Sequence, residues 1–328
     1  MANWSDTVPR TAGRKMRWNQ MAGSGRDRSI PQPRCRTATV AVAAVSLQLL
    51  AVPAFSADKD DDDEAPAQTY PNIYLDFRTS YGRTPAGALS IGFASPTVAV
   101  LSRLRELAAL PPLQAPTLPA SQTVELDVPL TIDVNDRVSL YGGFSTTTSN
   151  SGPGWSSVDI TSWNVGVQAD IYRQDGGSLP TLTLQTTLTR SVPSGPLATT
   201  SFNTILEASY AFDADETRGV LAGVQYTTTA IDADRAAIHP NTVGWLGGYY
   251  QWDNNWKLTG RAGLQSFGGA ELLRFTPIDA FTQPILRIDL DKLDDNDNRL
   301  FGITAQVAWT PKPAYQLTVR TPLYLTKN

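Results

Sequence analysis

Apolar and polar side chains alternate with a period of two over twelve separate stretches of this chain, and that pattern limits the fold more than any other feature. The stretches are 72–81, 123–134, 137–147, 162–173, 180–191, 201–213, 218–229, 242–252, 255–267, 284–291, 299–310 and 314–325. In the second, Val124, Leu126, Val128, Leu130 and Ile132 alternate with Glu125, Asp127, Thr131 and Asp133. In the fourth, Trp163, Val165, Val167, Ala169 and Ile171 alternate with Asn164, Gly166, Gln168 and Asp170. A period of two puts successive side chains on opposite faces of an extended strand, so each stretch predicts a strand with one apolar face. Most are longer than the roughly five or six residues usual in globular sheets, and close to the roughly 9–11 that a tilted strand needs to cross a bilayer.

The connections alternate as well. Short ones carry turn residues: Asn135-Asp136, Asp175-Gly176-Gly177, Asp213-Ala214-Asp215, Asp253-Asn254-Asn255 and Asp294 to Asp297. Longer ones, 148–161, 192–200, 230–241 and 268–283, lie between them, and only the Pro311-Lys312-Pro313 connection breaks the rule. Short turns at one end and long loops at the other are the asymmetry of outer-membrane barrels. Aromatic residues fall near strand ends, with Trp252 and Trp256 around one turn and Trp309 and Tyr315 around another. The expected fold is therefore all-β: a transmembrane antiparallel up-and-down β-barrel of about 12 strands, with 10–14 tolerated, and a short helix near the N-terminus. The competing fold is a secreted β-sandwich, which would turn the apolar face inward.

Register decides which face meets lipid. A slip of one residue would turn Glu125, Asp127, Asp170, Glu207, Lys257, Arg261 and Arg287 outward. A Lys or Arg at the bilayer midplane costs about 2–4 kcal/mol, against a total fold stability of about 5–15 kcal/mol. These seven are therefore expected in the lumen, and Leu126, Val128, Val165, Val167, Leu184, Ile303 and Val307 against lipid.

Residues 70–328 resemble Gram-negative outer-membrane porin and transporter barrels, on hairpins such as LTIDVNDRVSLYGGF, 130–144. Barrels associated with aromatic-compound degradation look similar. The resemblance implies a bacterial outer-membrane location, membrane lipid as surroundings and a small-molecule solute. Such barrels often end in an aromatic residue, whereas here Tyr324 is followed by Leu325-Thr326-Lys327-Asn328.

The segment before the barrel reads as an export signal. Eight basic residues between Arg10 and Arg36 precede the apolar run Thr37 to Ala57, the order of a secretory peptide, expected to be cut near Ala57. An uncleaved inner-membrane helix is the alternative; Pro53 and the acids DKDDDDE at 58–64 oppose it. The domains expected are a signal peptide at 1–57, an acidic tail at 58–70 and a barrel at 71–328. The barrel carries an insert at 95–120 that holds the helix, 97–110, and a Pro-rich stretch, 111–120. The only cysteine, Cys35, precedes the cut, which leaves no thiol for a disulfide or metal site. Without residues 1–57 the chain keeps 19 basic and 29 acidic residues, a balance that opposes nucleic acid as a partner.

Little in the chain suggests catalysis. After residue 57 there is one histidine, His239, in the sequence AIHPN, without the serine neighbours of outer-membrane hydrolases. No cofactor motif is present. The charges expected in the lumen say more. Arg78, Lys257, Arg261, Arg287 and Arg320 lie on strands one, nine, ten and twelve. Glu125, Asp127, Asp170 and Glu207 lie on strands two, four and six. Strands one and twelve meet when a barrel closes, so the cations are expected on one wall and the acids on the other. A transverse field of that kind suits small polar, anionic or zwitterionic solutes. The function expected is a passive outer-membrane channel or transporter rather than an enzyme. The alternative is a non-conducting barrel that serves as adhesin, scaffold or hydrolase.

Overall fold

The computed structural model describes residues 70–86 and 120–328, apart from positions 151, 153, 175–176, 193–197, 234–235, 273–274, 295–298, 310–311 and 327–328. The expected signal peptide, all but Tyr70 of the acidic tail, and the 97–110 helix with its Pro-rich stretch lie outside the described residues. All described elements belong to one compact unit, Pro66–Asn328.

Long alternating stretches hold too many backbone donors and acceptors to leave unpaired in lipid, and closing the sheet removes its edges. The strands are β1 (Asn72–Thr84), β2 (Ser121–Asp133), β3 (Val138–Asn150), β4 (Asp159–Tyr172), β5 (Thr181–Ser191), β6 (Thr199–Ala211) and β7 (Arg218–Ile231). They continue as β8 (Ala236–Gln251), β9 (Trp256–Phe267), β10 (Ala270–Leu272), β11 (Phe275–Ile278), β12 (Phe281–Leu293), β13 (Arg299–Trp309) and β14 (Pro313–Thr326). Twelve of them form an antiparallel ring in chain order, β1 to β9 and then β12 to β14. The ring closes where β1 pairs with β14, from Ile73 opposite Thr326 to Arg83 opposite Tyr315.

All twelve expected strands are present, mostly a few residues longer than the alternation alone marked. Two expected loops are corrected. Residues 236–241 belong to β8, because Ala236 to Ile238 pair with β10 and Asn241 pairs with Phe267 of β9. Residues 268–283 hold the β10–β11 hairpin and the start of β12. His239 therefore sits on a strand, not in a loop, and its Nε2 lies 3.7 Å from Glu271 Oε1.

The apolar parity faces outward. Val165 is 49 % exposed and Leu246 71 %, while Glu125, Asp127, Asn164 and Gln168 on the other parity line the interior. Exposed aromatics gather at both rims: Tyr81, Trp163, Tyr226, Trp309 and Tyr315 toward the long loops, and Tyr172, Phe212, Tyr250 and Trp252 toward the short turns. An apolar outer band between aromatic girdles is the surface a bilayer requires.

The interior is unevenly filled. On the β7–β9 and β12–β13 side it is packed: Leu221, Val243, Trp245, Ile285 and Ala308 form a buried cluster. Gln225, Gln265 and Gln283 lie buried beside it. Trp245 fits because β7 and β9 offer glycines beneath it. A Cβ on Gly223 would lie 2.9 Å from Trp245 Nε1, and one on Gly263 2.9 Å from Trp245 Cα. The other side encloses a cavity of about 1120 Å³ whose lining comes from β1–β6 and β12–β14.

Candidate functional site

Charged and polar side chains of the barrel interior gather halfway along their strands. Arg78, Asp127, Arg287 and Thr304 are the central residues of β1, β2, β12 and β13. Arg261 and Arg320 lie within one residue of the middle of β9 and β14. Even spacing of side chains along each strand, with one parity inward, brings these six to a common level without any loop contribution.

Asp289 is the hub of this level. Its carboxylate accepts hydrogen bonds from Arg261 Nη1 at 3.0 Å, Arg287 Nη2 at 2.8 Å and Thr304 Oγ1 at 2.5 Å. Arg320 Nη2 stands 3.5 Å from it and donates to Thr304 Oγ1 at 3.1 Å. Arg261 also reaches Glu207, through Nε and Nη2, both at 3.1 Å. Glu207 in turn accepts from Trp245 Nε1 at 2.9 Å. Among the described residues, three guanidiniums thus gather on two carboxylates. Arg287 and Arg320 line the cavity, with Arg78 next to Arg320 across the β1–β14 pair and 3.5 Å from Asp76.

Facing this wall are hydroxyls and amides. Tyr141 covers Gly166, and its hydroxyl donates to the Thr186 carbonyl at 2.9 Å and accepts from Gln185 Nε2 at 3.0 Å. Gln185, Thr187 and Asn203 continue the polar lining.

The expected residues are therefore distributed as follows. Arg78, Arg287, Arg320, Glu125 and Asp127 line the cavity. Arg261 and Glu207 meet in an ion pair at the border of the packed side. Lys257 lies toward the short turns, its Nζ 4.8 Å from the Tyr249 ring centre. Asp170 also lies there, 3.1 Å from Arg173 Nε, and accepts from Thr183 Oγ1 at 2.8 Å. Neither Lys257 nor Asp170 is in the cavity wall.

The picture of opposed cationic and acidic walls is corrected. Glu207 bonds to a cation rather than opposing it, and Asp127 is the cross-strand neighbour of Arg78. Asp289, which the sequence reading passed over, sits among the arginines. One signal pointed to it: in RIDLD, Arg287, Asp289 and Asp291 recur at a spacing of two on the inward face.

No protein-family model matches the chain, and no curated protein does. Among solved structures it is similar to an outer membrane channel from Pseudomonas putida F1, at 10 % identity and a TM-score of 0.46, over 80 % of this chain and 100 % of that one. It is also similar to the translocator domain of the autotransporter NalP from Neisseria meningitidis, at 11 % identity and a TM-score of 0.40, over 86 % and 97 %. The protein is a closed, twelve-stranded antiparallel β-barrel. Its closed ring, its apolar outer band and its charged interior are together suited to crossing a bilayer.

Proposed function

We propose that the barrel is a passive channel for small polar or anionic solutes, with Arg78, Arg287 and Arg320 as its selectivity element. The observation that carries this reading is their meeting at mid-barrel on one cavity wall, where Arg287 and Arg320 gather with Arg261 on the Asp289 carboxylate and Arg78 stands beside Arg320. Arginine suits the task because its planar fork engages carboxylate oxygens in pairs and stays charged at every physiological pH. A cavity flanked by packed side chains fits a narrow conductance rather than a wide pore, in keeping with twelve strands lying between filled and open barrels.

Planar-bilayer recording tests the proposal. The wild-type barrel is expected to give small, discrete, anion-preferring steps. Arg261→Glu with Arg287→Glu is expected to lower the anion-to-cation permeability ratio. A second reading, a non-conducting barrel, draws on the packed β7–β9 side and on Arg261 being held between Glu207 and Asp289. A complete lack of conductance from folded protein would favour it.

A further inference from the structure

One row of cross-strand neighbours runs across the interior of five strands. Arg320 on β14 is opposite Arg78 on β1, Arg78 is opposite Asp127 on β2, Asp127 is opposite Ser145 on β3, and Ser145 is opposite Ser162 on β4. All five side chains line the same cavity. The order along the row is cation, cation, anion, hydroxyl, hydroxyl, so the charge changes sign once, between Arg78 and Asp127. Neighbouring strands lie about 4.8 Å apart, and the row therefore covers about 19 Å of wall at backbone level.

Glu125, two residues from Asp127 on the same face, adds a second carboxylate to the cavity. Among the described residues neither Glu125 nor Asp127 is in an ion pair. Ser162 is only 3 % exposed, and its Oγ has no hydrogen-bond partner. A buried polar atom left without a partner costs stability, and its retention in a cavity wall fits a role toward a visiting group. In the cationic half, Nη2 of Arg78 reaches Asp76 and Nη2 of Arg320 reaches Asp289 and Thr304, while the Nε atoms of both are buried and make no hydrogen bond.

A simple anion would engage only the arginines and leave Glu125 and Asp127 unused. A primary ammonium offers three donors to an all-oxygen surround, as the two carboxylates and the Ser162 hydroxyl require. We propose that the row is a recognition site for small zwitterions, amino acids and short peptides in class. Arg78 and Arg320 hold the carboxylate; Asp127, Glu125 and Ser162 hold the ammonium. This inference rests on the channel reading above and names the solute that the channel prefers. Attachment is weak by design, since a conducting site must release what it binds.

The test compares three solutes built on one six-carbon chain in proteoliposomes: 6-aminohexanoate, its N-acetylated monoanion, and 6-aminohexanamide, which keeps only the cation. The zwitterion is expected to enter faster than either by about fivefold, the worth of one partly hydrated charge-assisted hydrogen bond. In Glu125→Gln with Asp127→Asn, that advantage over the monoanion is expected to vanish, and entry of the monoanion to rise. Glu125→Asp, which keeps the carboxylate, is expected to retain a preference. Folding of each variant is checked by its gel shift on heating. The inference is overturned if the zwitterion has no advantage in the wild type, or keeps it in the double variant. It is also overturned if calcium binds at micromolar levels through the same two carboxylates, which would give them to a metal. If none of the three solutes enters faster than into protein-free liposomes, the channel reading itself fails.

Discussion

Replacing Asp289 by Asn removes the charge on which the arginine wall is anchored while keeping its shape. The variant takes the Asp289 charge away from Arg287 and Arg320, whereas Arg261 keeps Glu207. Two effects follow, and they separate in experiment. The first is on selectivity. For a permeating anion about 8 Å from the removed charge, the change is about 0.5 kcal/mol at the dielectric of water and about 2 kcal/mol at an effective dielectric of 20. Ions at physiological strength screen over a similar length and pull the value toward the lower figure. A rise of about threefold in the anion-to-cation permeability ratio is therefore expected. The second effect is on stability. Breaking a buried charge pair costs about 3–5 kcal/mol, but here the arginine side chains keep 16–21 % of their exposure and rehydrate into the cavity. A loss of about 2 kcal/mol is expected after that discount. The reversal potential under a salt gradient reads the first, and urea unfolding in lipid vesicles reads the second. A ratio that stayed constant, or moved toward cations, would refute the claim that this wall faces the permeating ion. An unchanged urea midpoint would show that Asp289 does not anchor the wall.

Two other substitutions probe the frame. Leu246→Arg, on the outward face of β8 beside Trp245, is expected to lower stability by about 2–4 kcal/mol in vesicles if that face meets the bilayer centre; near-zero cost would place it elsewhere. At the β6–β7 turn, Asp213 accepts hydrogen bonds from the Thr217 hydroxyl at 2.6 Å and the Thr217 N–H at 2.8 Å, and the hydroxyl bond chiefly holds its carboxyl below the usual range. A lowered folded-state value means this contribution is present above the ordinary carboxylate range and fades as pH falls through the folded value. Thr217→Val should therefore flatten the fall in stability on acidification, with the difference from wild type greatest near neutrality; an equal difference at pH 7 and pH 3 would contradict it.

The sequence by itself determined the strands and their two faces, while the β1–β14 pairing that closes the ring came from the tertiary structure. Alternation such as Val124 to Asp133 is a local property of adjacent side chains. With so many apolar side chains on one parity, only lipid or a sandwich core could cover them. Glu125 and Asp127 on the opposite parity then followed into the cavity, because strand geometry carries a parity over its whole length. The β10–β11 hairpin and the first turns of β8 stayed hidden because AIHPN and the residues around Gly268-Gly269 have no clean period; their pairing is set by the barrel rim beneath them. The tertiary structure alone decided which charges meet. Arg261 and Glu207 are 54 positions apart in sequence, and Arg261 and Asp289 are 28 apart. Their contact depends on the stagger accumulated from strand to strand around the ring. A strand pattern fixes inside and outside, but not that stagger, and so gave the cations and acids to separate walls when the fold interleaves them around Asp289.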